Sequence, residues 1–267
     1  MDLYLSSKVL WDKTLPEVLR LVSDYEYDGI ELWYEHFTLP DHPGYLKKSD
    51  VLDLITSNCL PLWIHGPTMD INVTSVNPRI ASASLEENLD AIEFANKARA
   101  KGIVVHPGRL STSSDDPELY WEKQMSFLDR VTRAAHCRVA LENMDNSGFQ
   151  FVLNPEDLDR IFARSDSSKL GICLDIAHAA SLGNLNDFLE KVPEDITHFH
   201  YSNLGRNSGH KPIDKGKLNL TEELVNYLDE FEGVLTFEGW DPGRGIEVAQ
   251  KTKDLFLDEF DRIKAKL

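Results

Sequence analysis

The chain alternates between short apolar runs and longer stretches in which apolar residues recur with helical spacing. Eight apolar runs are present, around Leu3 and at 29–33, 61–66, 102–108, 138–143, 170–175, 197–203 and 233–240. Their continuous apolar character, rich in β-branched residues, is typical of parallel strands that are buried on both faces. We therefore predict a strand at each of these runs.

The stretches between the runs predict helices. Helical spacing of apolar residues occurs at 15–25, 83–100, 121–135, 155–163, 221–231 and 246–267. Pro16 and Pro155 lie near predicted helix starts, where a missing N–H costs little. Strands alternating with helices over 267 residues predict one α/β domain, 1–267, with the fold of a single (β/α)8 TIM barrel. A doubly wound open sheet is the alternative, but its usual glycine-rich first turn is missing.

Charge and composition narrow the expected partners. The 45 Asp and Glu residues against 28 Lys and Arg give a net charge of −17, which disfavours non-specific binding to nucleic acid or an anionic membrane. No run approaches the roughly 18 apolar residues of a membrane helix, and the first residues lack the features of a signal peptide. Cys59, Cys137 and Cys173 have no CxxC spacing and fit reduced thiols. We expect a cytoplasmic protein and leave its oligomeric state open.

Candidate chemistry lies at the ends of six consecutive predicted strands. Each of these strands ends in a residue type that binds metals, namely His65, His106, Glu142, Asp175, His200 and Glu238. The C-terminal ends of the strands of such a barrel surround one shared mouth, where enzymes with this fold carry out their chemistry. We therefore expect the six side chains to converge at the mouth.

Three carboxylates would repel one another there, those of Glu142, Asp175 and Glu238. At an effective dielectric constant of about 20, two such charges 4 Å apart repel by roughly 4 kcal/mol. A divalent cation bound by carboxylate oxygens and imidazole nitrogens offsets this repulsion, and protonation of an acid is the alternative. The sequence therefore predicts a divalent metal cofactor, with Zn, Mn, Mg and Co all open.

Separate structural roles are the competing interpretation of these residues. His65 and His106 could be core histidines with satisfied hydrogen bonds, and Asp175 could cap the helix that follows it. The two glutamates could pair with nearby arginines, Arg138 and Arg244. The convergence of all six residues favours a shared metal site over this collection of separate roles.

Three other features have both a structural and a functional interpretation. Glu31, inside the second run, is interpreted as structural. Arg109 follows His-Pro-Gly and could face the mouth, where it would meet a phosphate or carboxylate, or it could be an exposed loop arginine. An aromatic group after the second strand could line a substrate pocket or pack under a loop: Trp33, Tyr34, His36 and Phe37.

Nearly the whole chain resembles the xylose-isomerase-like TIM barrel superfamily, which contains sugar isomerases, epimerases and endonuclease IV. The matching segments are IHGPTMDIN, VVHPG, ALENM, CLDIAHA, HFHYSN and TFEGW. The resemblance implies a metal site formed by Glu142, Asp175, His200 and Glu238. It also implies that His178 touches substrate or a further metal, and that Arg206 binds substrate oxygens.

The endonuclease branch of the family binds three zinc ions, and this sequence matches its ligand pattern incompletely. His65, His106 and His178 are present, and His210 matches a further family histidine. Ser208 stands where the family has an aspartate, so the resemblance implies a third metal site that lacks one ligand.

We therefore expect a metal-dependent isomerase or epimerase that acts on a small sugar or another hydroxy-carbonyl compound. Asp175 and His200 would hold the metal, while Glu142 and Glu238 would act as base and acid in an order that stays open. His178 and Arg206 would stabilise an enediolate intermediate. An endonuclease IV-like hydrolase acting on abasic DNA is the alternative, and a noncatalytic metal- or sugar-binding barrel ranks third.

Overall fold

Eight parallel strands form a closed barrel in the computed structural model, which describes residues 1–112, 114–146, 149–165, 168–205 and 210–267. The strands follow one another around the barrel in chain order, and the last strand pairs with the first. They are β1 (Asp2–Ser6), β2 (Gly29–Trp33), β3 (Leu62–His65), β4 (Gly102–Val105), β5 (Arg138–Glu142), β6 (Leu170–Asp175), β7 (Ile196–Tyr201) and β8 (Val234–Phe237). The predicted α/β class and (β/α)8 TIM barrel are confirmed, whereas the domain extent of 1–267 stays a prediction.

Helices connect the strands and surround the barrel. Within the described ranges they are α1 (Leu15–Asp24), α2 (Tyr34–Thr38), α3 (Lys48–Asn58), α4 (Pro78–Lys97), α5 (Glu118–Ala134), α6 (Pro155–Phe162), α7 (Ile176–Leu182), α8 (Leu185–Lys191), α9 (Glu222–Glu230) and α10 (Gly245–Lys264). Short 3-10 turns lie at Ser7–Leu10, Pro193–Asp195 and Ile213–Lys215. The six predicted helical stretches correspond to α1, α4, α5, α6, α9 and α10.

Local sequence explains where several elements begin and end. Thr14 and Glu17 form a capping box at the start of α1, with the Thr14 amide donating to Glu17 Oε2 at 3.0 Å. Asn77 caps α4, which therefore starts at Pro78 rather than at the predicted residue 83. The predicted strand 102–108 ends at Val105, and the His-Pro-Gly segment after it leaves the barrel as a loop.

Periodicity did not predict α2, α3, α7 and α8. Helix α2 has five residues and α7 and α8 have seven each, too short to show a helical repeat. Helix α3 buries only Val51 and Ile55, so its apolar face is narrow. Among the described residues, none of the helices combines the length and apolarity that spanning a membrane requires.

The interior of the barrel changes from apolar to polar. A cluster separate from the main core fills part of it, with members from most strands: Tyr4, Trp63, Val104, Ala140, Cys173 and Val234. Next to this cluster lie three fully buried polar side chains, Glu31, His198 and Thr236. Buried polar groups need hydrogen-bond partners, so this layer requires an account of its own.

Candidate metal centre

Four of the predicted residues meet at the C-terminal mouth of the barrel. Glu142 and Asp175 end β5 and β6, His200 lies in β7 and Glu238 follows β8 directly. One potential ligand atom from each of the four lies within 4.8 Å of those of the other three, and all four residues are buried. We call these four residues the mouth cluster.

Each residue of the mouth cluster has a buried atom whose geometry gives no hydrogen bond to the described residues. These atoms are Glu142 Oε2, Asp175 Oδ2, His200 Nδ1 and Glu238 Oε1. Two of them still lie close to a histidine nitrogen, since Glu142 Oε2 is 2.8 Å from His106 Nε2 and Glu238 Oε1 is 2.5 Å from His210 Nδ1. Most buried polar atoms in proteins are hydrogen-bonded, so Asp175 Oδ2 and His200 Nδ1 in particular require a further partner. Three carboxylates and one imidazole form a donor set that a divalent cation accepts, and the residues present therefore fit a metal ion.

The pKa values of the three acids in the mouth cluster are shifted in different directions by their surroundings. Burial raises the pKa of Glu142, but His106 and His200 together outweigh burial, and the pKa lies well below its ordinary value. Burial also raises the pKa of Glu238, but nearby histidines, mainly His210, outweigh burial and hold this pKa well below its ordinary value. Burial and the neighbouring Glu238 instead raise the pKa of Asp175 well above its ordinary value. Of the three acids, Asp175 therefore binds a proton most readily when no cation is bound.

Four further groups of candidate ligands among the described residues share a member with the mouth cluster, and two of these groups consist of predicted ligands alone. His65 and His106 form one group with Glu142, with 2.8 Å between His106 Nε2 and Glu142 Oε2 and 3.7 Å between His65 Nε2 and the same oxygen. His178 and His210 form the other with Asp175. The structure therefore brings together His65, His106, Glu142, Asp175, His178, His200, His210 and Glu238. Their roles as ligands stay predictions, and Arg206 and Ser208 lie outside the described residues.

His178 and His210 link the cluster to the loop before α9. The Nδ1 atom of His178 lies 2.9 Å from the carbonyl oxygen of Asn143, so this nitrogen donates and Nε2 accepts. His210 Nε2 lies 3.1 Å from His178 Nε2, and His210 Nδ1 lies 2.5 Å from Glu238 Oε1. His210 therefore connects the imidazole of His178 with the carboxylate of Glu238.

Of the separate structural roles considered in the sequence analysis, the helix cap is present and the glutamate–arginine pairs are not. Asp175 does cap α7, because its Oδ1 atom accepts from the His178 amide at 2.6 Å, yet its Oδ2 atom still faces the cluster. The two glutamate–arginine pairs do not form. Arg138 donates to the carbonyl oxygen of Ser168, and the carboxylates bonded to Arg244 are those of Asp214, Asp241 and Glu247.

The aromatic group after β2 mainly packs under the mouth loops. Tyr34, His36 and Phe37 are fully buried within α2. Trp33 stacks on the ring of His65, with 4.0 Å between the ring centroids. Packing is therefore the better interpretation of this group, and Trp33 holds the imidazole of His65 in place.

Sequence reasoning missed the residues that orient His200. Glu31 lies in β2 and points across the barrel interior, with Oε1 3.0 Å from His200 Nε2 and Oε2 2.7 Å from His198 Nε2. Thr236 Oγ1 donates to Glu31 Oε2 at 3.0 Å. Burial raises the pKa of Glu31, but the two histidines outweigh it, so the carboxylate is ionised.

The carboxylate of Glu31 fixes the tautomer of His200. An ionised carboxylate only accepts hydrogen bonds, so it keeps a proton on His200 Nε2 and leaves Nδ1, which faces Glu142 and Glu238, as the nitrogen that a cation would bind. Metal-binding histidines usually donate their second nitrogen to a carboxylate in this way. The spacing of His198 and His200, two residues apart in one strand, was the available signal, because it places both rings on one face.

Comparison with known proteins places the chain in a family. The family model described as "Xylose isomerase-like TIM barrel" matches residues 19–265. The chain belongs to this family. The uncharacterized protein MJ1311 of Methanocaldococcus jannaschii is 28% identical over 284 residues, which cover 100% of this chain and 92% of the relative. A probable endonuclease 4 of Thermoplasma acidophilum is 26% identical over 172 residues, 59% of each chain.

Solved structures of similar fold include sugar epimerases. A D-tagatose 3-epimerase-like protein superposes with a TM-score of 0.83 at 27% identity, over 100% of this chain and 99% of that one. The IOLI protein, whose crystal structure has a bound zinc atom, superposes with a TM-score of 0.81 at 18% identity, over 98% and 99%. At this level of identity the second likeness shows the fold alone.

Proposed function

We propose that the protein is a divalent-metal-dependent isomerase or epimerase of a small sugar or another hydroxy-carbonyl compound. The observation that carries the proposal is the mouth cluster, in which three carboxylates and an imidazole converge with unsatisfied buried atoms. The likeness to a D-tagatose 3-epimerase-like structure supports it. Glu142, Asp175, His200 and Glu238 would hold the cation, for which zinc, manganese, magnesium and cobalt remain candidates.

A bound divalent cation supplies Lewis acidity, which makes the hydrogen next to a substrate carbonyl more acidic. The protein then needs a group that removes this proton and a group that returns it. Glu142 and Glu238 lie on β5 and directly after β8, so they reach the substrate from different sides of the mouth. Return of the proton to the same carbon from the opposite face gives an epimer, and return to the neighbouring carbon gives an isomer.

We assign His178 and Arg206 to the charge that develops on the substrate oxygens, Arg206 on the strength of the family resemblance alone. His178 is held by Asn143 and directs Nε2 away from that contact, towards His210. Support of a negative charge by His178 requires a proton on Nε2 as well as on Nδ1. His210 Nδ1, 2.5 Å from Glu238 Oε1, is placed to exchange a proton with this carboxylate.

Proton exchange with solvent tests this function. The metal-loaded protein is incubated in D2O with a panel of ketoses and other hydroxy-carbonyl compounds, and deuterium next to the carbonyl is measured by NMR. We expect exchange with at least one compound and its loss in Glu238→Gln. Glu118→Gln is the matched control, because Glu118 pairs with Arg160 on an outer helix, and it should exchange like the unmodified protein. Absence of exchange across the panel would refute the proposal.

A hydrolase of the endonuclease kind is the second candidate. The contact of His65 and His106 with Glu142 favours it, because this group could hold another zinc ion, and the similarity to a probable endonuclease 4 supports it. The net charge of −17 opposes the approach of DNA. Nicking of a DNA duplex with one abasic site, at stoichiometric zinc, measures this activity directly. Robust nicking without deuterium exchange would make the hydrolase the better assignment.

A further inference from the structure

A small cavity adjoins the mouth cluster and differs from the rest of this acidic chain in its charge. It has a volume of about 180 Å³, and no Asp or Glu is among its described lining residues. The polar side chains that line it are Thr68, Asn72, Asn88, His106, Arg109 and Gln150. His106 connects it to the cluster, because its Nε2 atom lies 2.8 Å from Glu142 Oε2.

Arg109 supplies the positive charge of this cavity. Its Nη2 atom donates to the carbonyl oxygen of Ile71 at 2.8 Å, and its main chain is tied to Asn72 in both directions. These bonds hold a partly buried side chain in place, yet its guanidinium pairs with no carboxylate of the described residues. Other arginines of this chain do pair, as Arg160 does with Glu118.

A second polar atom in the same cavity also has no partner. The buried Oε1 atom of Gln150 makes no hydrogen bond to the described residues. A carbonyl oxygen of this kind accepts from a hydroxyl group, whereas the free N–H groups of Arg109 donate to an anion. The lining therefore suits a molecule that carries both hydroxyl groups and a negative charge.

We propose that this cavity is a subsite for the anionic end group of the substrate, a carboxylate or a phosphate, and that Arg109 binds it. The inference rests on the proposed function, since it places the reacting carbons at the mouth cluster and the charged end in the cavity. The volume is smaller than the about 300–1,000 Å³ of pockets for drug-sized ligands, so it accommodates only part of a small sugar. The substrate class is then a sugar acid or a sugar phosphate rather than a neutral sugar.

Matched ligands test the subsite. Binding to the metal-loaded protein is measured by calorimetry for a neutral ketose, for the same ketose with a terminal phosphate, and for a keto acid of the same length. A hydrogen bond to a charged group contributes enough to change affinity by about tenfold to a hundredfold. We expect one or both anionic compounds to bind at least about tenfold more tightly than the neutral ketose, and the two arms identify which anion is preferred.

Variants assign the preference to Arg109. Arg109→Gln should bind the anionic compound about as weakly as the neutral one, with its affinity for the neutral ketose unchanged, and Arg109→Lys should restore part of the preference. Arg160→Gln removes the same charge from an outer helix and should behave like the unmodified protein. Equal binding of charged and neutral compounds overturns the subsite, as does a preference that survives in Arg109→Gln, because the anion would then be bound elsewhere.

The same proteins separate this inference from the proposed function. Deuterium exchange is measured in parallel with each compound. Exchange without a preference for anions retains the isomerase and removes the subsite. A preference that depends on Arg109, without any exchange, retains the subsite and removes the isomerase.

Discussion

Substitution of Glu31 by glutamine should weaken metal binding without touching any of the proposed ligands. The carboxylate accepts from His200 Nε2 through Oε2 at 3.2 Å, and the same oxygen lies 2.7 Å from His198 Nε2, in a fully buried environment. A glutamine offers one acceptor oxygen and an NH2 group, so one of the two imidazoles meets a donor instead of an acceptor. His200 then loses the acceptor that keeps a proton on Nε2 and leaves Nδ1 available to a cation at the mouth cluster.

The size of the expected loss in metal affinity follows from the effect of similar carboxylates in other metal sites. Removal of the partner of a metal-binding histidine typically lowers metal affinity by about 10- to 100-fold. This range corresponds to roughly 1.4–2.8 kcal/mol of binding free energy. Thr236→Val removes only one donor to Glu31 and leaves its charge in place, so its effect on affinity should be smaller.

Zinc affinity measured by competition with a chromophoric chelator tests this prediction. Nitrogen NMR of His200 supplies a second readout, because the tautomer should change from Nε2–H towards a mixture in Glu31→Gln. Glu35→Gln is the matched control, since Glu35 is also buried but accepts from the main chain of Met69, away from His200. The reasoning is refuted if Glu31→Gln binds zinc within threefold of the unmodified protein, or if Glu35→Gln loses as much.

Other predictions concern the cluster, a buried histidine and the core. Glu142→Gln and Asp175→Asn should each lose metal, by at least about tenfold in affinity, and keep an unchanged circular dichroism spectrum; full metal occupancy in both would contradict the proposed ligand set. Burial and a neighbouring imidazole lower the pKa of His36 to about 3, from 6.5. Below pH 6.5 the unfolded chain binds a proton at this residue that the folded protein does not. The free energy of unfolding therefore decreases by about 1.4 kcal/mol for each unit by which the pH is lowered. Urea unfolding should therefore show the stability cost of His36→Gln shrinking by about 2 kcal/mol from pH 7 to pH 5, and a constant difference would oppose the assignment. Phe256→Ala removes a fully buried ring that contacts Tyr201 and Phe237, and urea unfolding should show a loss of about 3–5 kcal/mol.

The strands and the convergence of the cluster were predictable because both depend on local patterns. A strand buried on both faces is a continuous apolar run, and parallel strands around a barrel carry their C-terminal residues to one end. Glu142, Asp175 and His200 could therefore be placed together without knowledge of the loops. Helix α3 was missed because it buries little apolar surface, and no local pattern distinguishes it from a loop.

The support of His200 was not predictable, because it depends on contacts across the barrel. Glu31 and His200 are 169 residues apart in the chain and meet only when β2 and β7 face each other across the closed interior. The sequence shows a glutamate within an apolar strand, which a structural role explains equally well. Only the closed geometry shows that this glutamate orients a candidate ligand.

The position of Glu142 means that the number of bound cations decides whether this residue can act as a base. Its Oε2 atom faces His106 Nε2 at 2.8 Å, and its Oε1 atom faces His200 Nδ1 at 3.4 Å. A cation at His65 and His106 in addition to one at the mouth cluster would engage both oxygens, and Glu142 could then accept no proton from a substrate. Proton abstraction by Glu142 therefore requires that the group formed with His65 and His106 stays free of metal. An isomerase that uses this base should carry one cation per chain, and two or more would favour the hydrolase.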